Sequence, residues 1–201
     1  MRPSEFVEFR SFPLVHGFVR NHLDMQFNDI RTMLKLPIGS LGLDAGCNFA
    51  AASTLCNLIS GISVMMYTPV NGGKRRGDRR KRFCELMIIY YPWGTGEKRE
   101  EKTKVLYDLI RNPLAHSLGI FDKQQYCITI RKFDPPLDNH RIETIESSDV
   151  CPTWLHQAVI GGNNSYDINV EGLYWGVFHL LKQLACDRTQ MEQVEKRIVG
   201  I

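Results

Sequence analysis

Arg111, Asn112 and His116 fall within one short stretch, Arg111-Asn112-Pro113-Leu114-Ala115-His116. Side chains of these types suit phosphodiester chemistry. Histidine titrates near neutrality, so it can take a proton from a ribose 2′-hydroxyl. Arginine offers a planar, permanently charged fork to the oxygens of a pentavalent phosphorus. Asparagine can orient the imidazole or hold a phosphate oxygen. The scheme needs neither a metal nor a cofactor, and none is expected. The six cysteines (Cys47, Cys56, Cys84, Cys127, Cys151, Cys186) form no close pair, and the histidines do not gather with them. Scattered thiols of this kind read as small buried residues in a reducing compartment.

The elements around the stretch have to bring these groups together. Pro113 disfavours helical geometry in the residue before it and cannot donate a helix hydrogen bond. Asn112 is a good helix cap, and proline is favoured at the first helical position. A long amphipathic helix is therefore expected to run from about Glu97 towards Asn112, with Val105, Leu106, Leu109 and Ile110 inward. A short helix, PLAHSL, then begins. On one straight helix five residues turn through about 500°, so Arg111 and His116 would point about 140° apart. A kink, or a second copy of the chain, would change that relation. A capping asparagine beside an exposed histidine would account for the same residues without any chemistry.

A basic run lies upstream. Residues 72–82, GGKRRGDRRKR, hold seven cations and one acid, while the whole chain carries only +3. Lys74, Arg75, Arg76, Arg79 and Arg80 are the candidates for sequence-independent, salt-sensitive contacts to an RNA backbone. A solvated loop and helix start is the alternative. Asp108 stands three residues before Arg111, where it either pairs with that arginine or is solvated; solvation is the favoured reading, because exposed helix pairs contribute little.

With 201 residues, 43% hydrophobic and 23% charged, the chain suits a single domain with a sizeable core. Helical spacing recurs over 18–35, 47–66, 79–90 and from Val170 onward, and again in a last helix with Met191, Val194 and Ile198 on one face. The segment CELMIIYY is also β-prone, so a strand is the alternative near 84–91. Residues 126–133 alternate and read as a strand, DPPLDN as a turn, and RIETIES as a candidate return strand. Gly161 and Gly162 with Asn163 and Asn164 read as a loop. Trp93, Trp154, Trp175 and His179 read as packing residues. The expected fold is mainly α, one domain over 1–201, with a small β-rich insertion at about 120–165.

No charge occurs between Ala45 and Gly73, a stretch long enough to span a bilayer. Its asparagines, serines, threonine and Gly61 favour a buried central helix; a membrane span is the alternative. The N-terminus MRPSEFVEFR has acids at Glu5 and Glu8 and no signal-length apolar core, so the expectation is a cytoplasmic protein with no membrane association.

The stretch Arg111-Asn112-Pro113-Leu114-Ala115-His116, following a long amphipathic helix, resembles the signature of the HEPN superfamily (higher eukaryotes and prokaryotes nucleotide-binding). The signature is arginine, a polar residue, three variable residues and histidine. The likeness covers mainly residues 18–119 plus the helix after 170. It implies a HEPN-like helical bundle, a homodimer with two Arg/His pairs facing each other, and metal-independent cleavage of RNA to a 2′,3′-cyclic phosphate and a 5′-hydroxyl. By position, Arg111 would stabilise the phosphorane, His116 would act as base and Asn112 would support them. The resemblance also implies a toxin–antitoxin or antiphage setting, with an antitoxin or regulatory protein as partner. Ser117-Leu118 departs from members that place a modifiable tyrosine two residues after the histidine. The reading from a different class is a non-catalytic helical module that binds RNA, a nucleotide or a partner protein.

Overall fold

The structure, a computed structural model, describes residues 1–36, 47–69, 79–111, 126–132, 138–148, 154–160 and 163–200. Pro13 starts the first long helical run, earlier than the expected start at 18, because its fixed φ suits a first helical position. The run comprises α1 (Pro13–Phe18), a π-helical turn (Val19–Leu23) and α2 (Asp24–Lys35). Its buried side chains are Val15, Val19, Leu23, Phe27, Ile30 and Leu34. Each four-residue step on an α-helix overshoots a full turn by about 40°. The wider π turn absorbs that drift and keeps the stripe facing inward.

α3 (Asn48–Met65) takes the centre, packed by α2, by α4 (Arg79–Tyr90) and by later elements. By length and composition it is apolar enough to cross a membrane, and 50% of it is buried inside the fold. The stretch 84–91 is helical through Tyr90 rather than extended: Phe83, Leu86, Met87 and Tyr90 are buried at the helical spacing. The expected helix from about 97 is present as α5 (Arg99–Val105) followed by a second π-helical turn (Leu106–Arg111). α5 packs against α4, and the π-helical turn packs against α3 and α4.

The second half differs more from the sequence reading. β1 (Tyr126–Arg131) is the expected strand. RIETIES, however, is not a return strand; it lies in α6 (Asn139–Ser147). Asp138 caps that helix by accepting from the Arg141 amide at 2.8 Å, and Ile142 and Glu146 turn inward four residues apart. The return comes instead from β2 (Leu155–Ile160) and β3 (Asn163–Asn169), so Asn163 and Asn164 belong to a strand and not to a loop. The order is β1-β3-β2. β3 is central: it runs parallel to β1, with Tyr126 opposite Asn164, and antiparallel to β2, with Ile160 opposite Asn163.

Two capped helices complete the described chain. Asn169 accepts from the Gly172 amide at 2.7 Å to start α7 (Val170–Cys186), and Asp187 accepts from Gln190 at 3.0 Å to start α8 (Arg188–Val199). α7 is buried along nearly its whole length. Met191 and Val194 of α8 face the core, but Ile198, expected beside them, is 41% exposed near the helix end. Trp154 and Trp175 are buried and Trp93 meets Tyr91 at a tilt with ring centres 4.6 Å apart, so the tryptophans do pack. His179 is buried as expected, its ring 4.4 Å from that of Trp175. The architecture is mainly α with one small three-stranded sheet.

Candidate functional site

Thr103, Leu106, Tyr107 and Ile110 are buried at i, i+3, i+4 and i+7, which fixes how the end of this helix meets the core. Arg111 is then one turn beyond Tyr107, and its guanidinium carbon lies 5.4 Å from the centre of the Tyr107 ring. Its Nε donates to Ser60 Oγ on α3 at 3.3 Å. Ser60 in turn donates to the Cys56 carbonyl at 2.9 Å. Arg111 is half-buried in this corner, with its Nε direction set by α3 and its plane set against an aromatic ring.

The electrostatics register the same proximity. Burial pushes the Cys56 thiol up to about 12, and the Arg111 charge pulls in the opposite direction without overcoming it. Tyr107 itself is 7% exposed and meets Phe83 edge-on at 5.0 Å, so the ring under the guanidinium is held from behind.

Arg80, in the first turn of α4, comes to the same ring: its guanidinium carbon is 5.9 Å from the Tyr107 centroid. It also forms a two-pronged pair with Asp108, from Nε at 3.0 Å and from Nη2 at 2.6 Å. Asp108 is thus neither solvated alone nor paired to Arg111. The helix turns it towards α4, where a cation from the basic run is waiting. The hydrogen bonds to Asp108 and its charge raise the Arg80 guanidinium above its ordinary value. Beyond the pair, a groove of about 390 Å³ between α4 and α5 is lined by Arg80, Lys81, Cys84 and Lys104, with Glu85 and Glu100 among them.

Of the sequence-derived candidates, Arg111, Arg79 and Arg80 are described. Arg80 and Arg111 meet at Tyr107, and Arg79 is exposed beside Arg80 at the start of α4. Asn112, His116, Lys74, Arg75 and Arg76 lie outside the described residues, as does the short helix expected at PLAHSL. Among the described residues, no three His, Cys, Asp or Glu side chains form a group that could hold a metal. Sequence reasoning missed Ser60 as the partner of Arg111, and no local signal could have found it across 51 positions. Tyr107 did carry a signal, since residues four apart on a helix are neighbours.

Compared with known proteins, the chain matches no family model, no curated protein and no solved structure.

Proposed function

We propose that this chain is a HEPN-type, metal-independent endoribonuclease with a HEPN-like helical bundle. His116 takes the proton of a ribose 2′-hydroxyl, and the 2′-oxygen attacks the adjacent phosphorus. The bond to the 5′-oxygen breaks, and that oxygen leaves as a 5′-hydroxyl once protonated. A 2′,3′-cyclic phosphate remains on the other fragment. Arg111 stabilises the charge that builds on the phosphorane oxygens, and Asn112 supports the pair. Lys74, Arg75, Arg76, Arg79 and Arg80 hold the strand through its backbone. A homodimer would set two such sites against each other, and a toxin–antitoxin or antiphage role, with an antitoxin as partner, fits that activity.

The observation that carries the reading is the anchoring of Arg111. A guanidinium fixed by Ser60 at 3.3 Å and by the Tyr107 ring, with Arg80 at the same ring, is suited to a phosphate. The anchoring supports phosphate recognition directly, and the chemistry follows from His116 in the sequence signature. The same cation pair also favours the second reading, a module that binds RNA, nucleotide or an acidic partner without cutting it, because binding needs no base.

The test is RNA cleavage by purified protein in excess EDTA, with His116→Ala and Arg111→Ala alongside. Cyclic-phosphate ends from the wild type, lost in both variants, are expected. Binding without cleavage by folded protein would select the binding module. Equal cleavage by all three proteins would place the activity elsewhere.

A further inference from the structure

Arg80 comes to the same Tyr107 ring as Arg111 and is engaged by a carboxylate. Asp108 engages its Nε and Nη2 at 3.0 and 2.6 Å, the parallel two-pronged arrangement that a phosphodiester makes with arginine. The pair is open to solvent: the Arg80 side chain is 52% exposed and that of Asp108 42%. Exposed pairs contribute little to stability and are screened by salt. Opening this one therefore costs the fold little. It also requires no movement of backbone, because Arg80 already sits over the ring that Arg111 covers, and Phe83 holds that ring in place.

We infer that Asp108 is a built-in competitor for the substrate phosphate at Arg80, which a strand held by a further phosphate contact displaces. The inference rests on the reading of Arg111 as part of an RNA site. A lone phosphate arriving at Arg80 exchanges one carboxylate pair for one phosphate pair and gains little. A strand that sets one phosphate on Arg111 presents another to Arg80 at high effective concentration, and so displaces the carboxylate. Lys104 lines the same groove as Arg80, with Glu85 and Glu100 among the cations. Asp108 also cancels one positive charge at the rim, so small anions are not concentrated there.

The experiment measures binding of a 2′-O-methyl RNA oligonucleotide, which lacks the nucleophile, by fluorescence anisotropy across a salt series. The proteins are wild type, Asp108→Asn, Arg80→Ala, the Asp108→Asn/Arg80→Ala double variant and Arg111→Ala. Adenosine 5′-monophosphate serves as the single-phosphate probe, and thermal melts verify folding. Asp108→Asn is expected to tighten strand binding by roughly five-fold and to steepen the salt slope by about 0.7, the value of one further single-strand phosphate contact. It should also raise affinity for the mononucleotide. Arg80→Ala should abolish both gains. A purely structural role for Asp108 would not produce tighter binding. If Asp108→Asn binds no tighter while Arg111→Ala weakens binding, the RNA site stands and the competitor is refuted. If Arg111→Ala leaves binding unchanged, the RNA reading itself fails and this inference falls with it.

Discussion

Arg111 on the second π-helical turn donates from Nε to Ser60 Oγ on the central helix, at 3.3 Å and 51 positions apart in the chain. The bond ties the direction of the guanidinium to the central helix, against which α2 and α4 pack. Ser60→Ala removes one neutral acceptor from a charged donor, a change of about 1 kcal/mol. If Arg111 stabilises a transition state, cleavage should fall roughly five-fold with KM nearly unchanged, and Ser60→Thr should restore it. A kinetic assay of the three proteins decides the matter. Unaltered kcat in folded Ser60→Ala would mean that the serine does not position the arginine.

Glu146 and Arg31 form a second, structural relationship. Tyr174 donates to Glu146 Oε1 at 2.5 Å and Arg31 Nε donates to the same oxygen at 2.8 Å, with the Glu146 side chain 3% exposed. Removing one partner of a buried charge network leaves the other uncompensated. Glu146→Ala should therefore destabilise the protein by about 3–5 kcal/mol. Urea unfolding checks this: a midpoint equal to that of the wild type would show that the network contributes nothing net.

Gly176 faces the ring of Tyr91, and a Cβ built there would overlap the phenol. Tyr91 is buried, so it has little room to yield. Gly176→Ala should cost about 1–3 kcal/mol or more as overpacking. A Tyr91→Ala/Gly176→Ala double variant should lose less than the sum of the two single variants, since the residues are in contact. Additive losses in thermal melts would contradict the contact.

Stability should also fall in alkali through Cys56. Its thiol moves from an ordinary 9.0 to about 12, chiefly by burial, with Arg111 opposing the shift. The folded value lies above the unfolded one. The associated stability is therefore fully present below about pH 9 and is lost as pH rises towards about 12, by up to about 1.4 kcal/mol per unit. Cys56→Ala should show a shallower decline over that window in denaturant titrations at stepped pH. Identical slopes would show that the thiol ionises alike in both states.

The helices were legible because their information is local. Phe83, Leu86, Met87 and Tyr90, or Val170 to Leu184, repeat at the helical period, and a helix buries such a stripe wherever its partners are. The Arg111 stretch was legible in the same way, as residue types at a spacing. The sheet was less so. β3, NNSYDIN, is rich in residues that disfavour strands, yet it is central because β1 and β2 pair with it on both sides. The pairing of β2 with β3 does leave a trace in the sequence, because Gly161-Gly162 is a two-residue hairpin signal. RIETIES suggests a strand by its β-branched composition, whereas its isoleucines three apart and the cap at Asp138 favour the helix that forms.

By itself the sequence determined a mainly helical chain, a central uncharged helix, a conjunction of arginine, asparagine and histidine, and a basic run upstream of it. Periodicity and capping act over a few residues, so a linear reading can recover them. Tertiary structure alone decided that Arg80 and Arg111 share the Tyr107 ring, that Ser60 holds one and Asp108 the other, and that a polar segment becomes the middle of a sheet. These relations join positions tens of residues apart, and they exist only after burial of the helix stripes has fixed which surfaces face each other.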